Sequence, residues 1–146
     1  MKREHKTLIF GIGNVGRKDD GIGWAFLDNL KAENIDCDIA YRYQLQVEDA
    51  ELLCNYEKVI FIDSSKEDID NGFYFKTCES SDEFSFSTHQ LAPQTVLFLA
   101  EELYQHSPKA FILGVQGYQW NLEQGLSEKA KINLDTAKTY LFESID

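Results

Sequence analysis

Thr7-Leu8-Ile9-Phe10-Gly11-Ile12-Gly13 is a nearly continuous apolar run that stops at glycines and Asn14. A run this short, apolar on both alternating faces and cut off by turn residues, predicts a strand buried on both sides, as in a parallel sheet. A glycine-rich turn follows. A helix is then expected from about Gly21 to Ala32, with Ile22, Ala25, Phe26 and Leu30 on its inner side. The same alternation continues down the chain. A strand is expected over Ile35 to Tyr41, and a helix over Glu48 to Asn55 that buries Ala50, Leu53 and Cys54. Lys58-Val59-Ile60-Phe61-Ile62-Asp63 is the clearest strand. Phe73 to Thr77 predicts a short strand at an edge. Thr88 to Gln105 predicts a long helix with Pro93 in its first turn, a buried stripe of Val96, Leu97, Leu99, Ala100 and Leu103, and an end at His106-Ser107-Pro108. Ala110 to Val115 is a further buried strand. Ser127 caps a last helix whose inner side is Ala130, Leu134, Ala137, Leu141 and Ile145.

Strands alternating with helices imply an α/β sandwich of three layers: a mostly parallel sheet of about five strands with helices on both faces. The 146 residues fit a single domain spanning 1–146. With 43% hydrophobic residues, such a domain buries roughly two-thirds of its unfolded surface and needs no staples. No apolar run approaches the ~20 residues that cross a bilayer, and the charged start Met1-Lys2-Arg3-Glu4-His5-Lys6 does not suit a signal peptide, so a cytoplasmic protein free of membranes is expected. Cys37, Cys54 and Cys78 are odd in number and lack metal-ligand or redox spacing, so they read as small hydrophobes. The net charge of −11 repels phosphate backbones and argues against nucleic acid as a partner.

In open parallel sheets ligands bind beyond the carboxyl ends of the strands, where the winding switches direction. Three segments should meet there: Gly11 to Gly23, Asp63-Ser64-Ser65, and Ser87-Thr88-His89-Gln90. They offer the carboxylates of Asp20 and Asp63 and the imidazole of His89. Such a mixed oxygen and nitrogen set suits a divalent transition metal with open positions, or acid–base work. Each residue also has a local explanation: helix capping for Asp19 or Asp20, a backbone-bonded turn for Asp63, and a cap or surface position for His89. The case rests on their convergence. Gly11-x-Gly13-x-x-Gly16 matches the dinucleotide fingerprint literally, but the helix is delayed past Asp19-Asp20 and the second strand ends in Tyr41-Arg42-Tyr43 without an acid. Gly117-Tyr118-Gln119-Trp120, at the same end of the sheet, could grip a peptide or cover the core.

Several blocks, in order, resemble the hydrogenase maturation endopeptidases. They are Gly11-Ile12-Gly13-Asn14 with Asp19-Asp20-Gly21-Ile22-Gly23, then Val59 to Asp63, then Thr88-His89-Gln90-Leu91. Phe111 to Gln116 and Gly125-Leu126-Ser127-Glu128 complete the set. The resemblance covers nearly the whole chain. It implies a phosphorylase/hydrolase-like sandwich and a nickel-recognising site on Asp20, Asp63 and His89, with catalysis at the same three residues. The family's first position is glutamate in some members and aspartate in others. It implies removal of a C-terminal extension from the nickel-loaded precursor of a hydrogenase large subunit, by a monomer, with the substrate's own nickel as checkpoint and no permanently bound metal. Two alternatives accompany it. One is a metal-sensing, chaperone-like module that binds the precursor without cutting. The other is an esterase like peptidyl-tRNA hydrolase, which has a similar opening turn but a proline where Val15 stands here.

Overall fold

The computed structural model describes residues 7–82 and 91–144. Five strands, β1 (Thr7–Ile12), β2 (Asp38–Arg42), β3 (Lys58–Ser65), β4 (Phe73–Thr77) and β5 (Lys109–Gln116), form one sheet in the order β2-β1-β3-β5-β4. All neighbours are parallel except β4, which runs antiparallel to β5 at one edge. The inner strands are buried on both faces, which is why β1 and β3 read as unbroken apolar runs. The chain leaves β1 for β2 on one side and later enters β3 on the other, so the winding switches between β1 and β3.

Helices α1 (Ile22–Ala32) and α4 (Glu128–Ser144) cover one face, packing Ile22, Phe26, Leu27, Leu30, Leu134 and Leu141 onto Ile9, Ile60, Ile62, Leu113 and Val115. Helices α2 (Glu48–Leu52) and α3 (Pro93–Tyr104) cover the other, with Leu53, Val96, Leu97 and Ala100 on Leu8, Phe10, Val59 and Phe61. Phe10 and Phe61 stack across this second face at 5.2 Å. Each such buried side chain contributes roughly 1.5–3 kcal/mol.

Several boundaries move for local reasons. The second strand starts at Asp38, because Ile35 to Cys37 form a turn closed by Cys37 N–H on the Ile35 carbonyl. The helix at Glu48 tightens into a 3-10 turn at Leu53–Asn55. α3 begins at Pro93, preceded by extended Ala92, and ends where Gln105 turns left-handed. Leu103, expected in its buried stripe, is exposed in the last turn of α3. The expected helix start at Thr88 and the last apolar position, Ile145, lie outside the described residues. Ser127 caps α4 as expected, its Oγ accepting the Ala130 N–H at 3.3 Å. Cys78 is buried, Cys37 and Cys54 are half-buried, and all three are free thiols. Among the described residues no helix is long and apolar enough to cross a membrane.

Candidate active site at the switch point

The turn after β1 places the first carboxylate. Gly13 adopts φ +144°, and a side chain there would run into the Asp20 carbonyl. Only glycine lets the two backbone segments lie against each other. Lys18–Gly21 then forms a 3-10 turn that precedes α1. The Asp20 carboxylate folds back over the loop, accepting the Asn14 N–H at 2.9 Å and the Ser64 hydroxyl at 3.3 Å. Gly16 N–H is taken by the Asn14 side chain at 2.8 Å. The N–H groups of a phosphate cradle are thus already used within the turn, and the helix opens only after Gly21. The glycines serve close packing here rather than dinucleotide binding.

β3 supplies the second carboxylate. Asp63 stands at its carboxyl end, half-buried, and accepts the Ser64 N–H at 2.7 Å. Burial pushes its carboxyl up, the Ser64 N–H lowers it, and the nearby Asp20 charge raises it again, leaving it at about 7. The sequence expectation that Asp20 and Asp63 meet is realised, with Ser64 as the bridge between them. His89 lies outside the described residues. Among the described residues no group of three metal-binding side chains forms.

Asp19 has a different task from its neighbour. It is fully buried and gathers four hydrogen bonds: from Tyr118 N–H (2.7 Å), Gln119 N–H (3.0 Å), Ser127 N–H (2.7 Å) and Ser127 Oγ (2.7 Å). Burial pushes its carboxyl up, but these donors together outweigh burial and hold it below the usual carboxylate value. Lys18 N–H to Glu123 and Asp19 N–H to Gln119 add backbone stitches. The loop after β5 is thereby fastened to the turn that carries Asp20. Sequence gave Asp19 no role beyond capping; its partners lie about a hundred positions away.

The aromatic segment divides in two. Trp120 folds over Gly117 with the Lys66 ammonium 5.1 Å above its ring, whereas Tyr118 is exposed and donor-linked through Asn133. Gln116 is buried and ties the loop after β3, accepting Ile69 N–H at 2.9 Å and donating to Asp68 at 3.2 Å.

No family sequence model matches the chain, and no curated protein matches it either. Solved structures do. The hydrogenase 2 maturation peptidase from Thaumarchaeota archaeon SCGC_AB-539-E09 superposes with a TM-score of 0.69 at 20% identity, over 96% of this chain and 97% of that one. The [NiFe] hydrogenase maturation protease HybD from Thermococcus kodakarensis gives 0.68 at 18%, over 97% and 99%. HybD from E. coli, a hydrogenase maturating endopeptidase, gives 0.66 at 19%, over 95% and 93%. Each superposition covers more than nine-tenths of both chains, and the chain has the fold of the hydrogenase maturation endopeptidases.

Proposed function

We propose that the protein is an endopeptidase that removes a C-terminal extension from the nickel-loaded precursor of a hydrogenase large subunit. The observation that carries this reading is the pairing of Asp20 and Asp63 at the switch point of a chain with this fold. The charge of Asp20 raises the Asp63 carboxyl, and the two side chains form an acidic spot that suits a divalent cation. Oxygen donors with an imidazole from His89 suit nickel, and the nickel belongs to the substrate, where it polarises what it binds. Asp20 is fixed by Asn14 and Ser64, so it meets the precursor in one orientation. Asp63, with its carboxyl near 7, is matched to accept or return a proton at working pH. The precursor is the expected partner.

The test uses the purified protein with nickel-loaded and nickel-free large-subunit precursors, followed by mass spectrometry of the products. Loss of a defined C-terminal peptide from the loaded form alone is the expected result. Cleavage of both forms alike removes the nickel checkpoint. Binding without cleavage replaces the peptidase with a precursor-binding module.

A further inference from the structure

One aromatic residue outside the sequence motifs points at the same site. In the sheet register Asp63 on β3 pairs with Gly114 on β5, and Gly114 pairs with Tyr74 on β4. Paired residues share a face, so the three stand in a row on the side covered by α2 and α3. Gly114 has no side chain, and the Tyr74 ring fills the space one would occupy. A β-carbon at 114 would lie 2.7 Å from the Tyr74 hydroxyl and closer still to the ring. The phenol is therefore laid across β5 toward Asp63.

We propose that Tyr74 is a residue of the Asp20–Asp63 site and that its O–H donates a hydrogen bond to a carbonyl oxygen of the bound peptide beside Asp63. This deepens the peptidase reading and rests on it. A peptide carbonyl needs a hydrogen-bond donor. The nearby hydrogens of Asn14 N, Ser64 N and Ser64 Oγ are already given to Asp20 and Asp63. Among the described residues Tyr74 offers such a donor. Burial first, then the charges of Glu67 and Asp63, raise its phenol, so the proton stays on the oxygen. The Lys76 ammonium lies over the ring, 4.8 Å from its centroid.

The test compares wild type with Tyr74→Phe, which keeps the ring over Gly114. Precursor binding, single-turnover cleavage of the nickel-loaded precursor and thermal unfolding are measured side by side. The variant is expected to melt as the wild type does and to keep KM within about two-fold, while kcat falls about ten- to a hundred-fold, as for loss of a donor to a reacting carbonyl. A purely structural role would move the melting temperature instead. Cleavage by the variant at the wild-type rate overturns the proposal. If the wild type binds but does not cut, the peptidase reading fails, and the Tyr74 contact that rests on it is overturned with it. Neither binding nor cleavage by the wild type overturns both.

Discussion

The Ser127 hydroxyl and backbone N–H both reach the Asp19 carboxylate at 2.7 Å, although the two residues are 108 positions apart. Through this pair the start of α4 is bonded to the turn that carries Asp20. The fold thus holds its candidate site by a buried charge whose four donors come from one later segment.

Removing that charge should be costly. Asp19→Ala strands three backbone N–H groups and is expected to destabilise by about 3 kcal/mol or more, and Ser127→Ala by about 1–2 kcal/mol through the lost cap and bond. Urea denaturation measures both. The Asp19 carboxyl is held below its ordinary value of 3.8, so its contribution is present above that pH and is lost as pH falls through the folded value. Asp19→Asn should flatten this acid limb of the stability profile; an unchanged limb contradicts the assignment.

Asp63 has the opposite sign. Its folded value of about 7 lies above the ordinary 3.8, so the fold favours the neutral carboxyl. Stability declines as pH rises from 3.8 to 7 and stays lower beyond. Asp63→Asn should therefore be more stable than wild type at pH 8, on the order of 1–2 kcal/mol after solvent screening, and equal to it near pH 3. Cleavage should be lost at every pH. A variant less stable at pH 8, or still cleaving, argues against the placement of this group.

Gly13 sets the position of Asp20. Gly13→Ala meets both an unfavourable φ of +144° and the Asp20 carbonyl, and is expected to destabilise by about 2 kcal/mol or more. A shift of the Asp20 loop should also lower cleavage at least about ten-fold. Chemical denaturation alongside a cleavage assay separates loss of site geometry from loss of folded protein.

His89→Ala should abolish processing while the far-UV circular dichroism spectrum remains that of the wild type. Normal cleavage by this variant removes His89 from the site.

The apolar runs of β1, β3 and β5 made the layered α/β architecture legible, because a strand buried on both faces must be apolar at every position. The motif blocks located Asp20 in the turn after β1 and Asp63 at the end of β3, and the switch-point rule brought them together. Pairing partners were not legible, since register depends on how whole strands dock. That is why Tyr74 drew no notice, and why Asp19 looked like a cap. Leu103 fits the helical stripe in sequence, yet it is exposed at the end of α3, because helical spacing alone does not say what packs against the last turn.

The sequence by itself determined the elements, their layering and the two acids that converge, because local periodicity and strand-end position are properties of neighbouring residues. The tertiary structure decided the rest: the antiparallel run of β4, the row from Asp63 through Gly114 to Tyr74, and the division of labour between adjacent Asp19 and Asp20. Those depend on burial and on donors contributed by distant segments, which exist only once the sheet has closed and set the two aspartates in different surroundings.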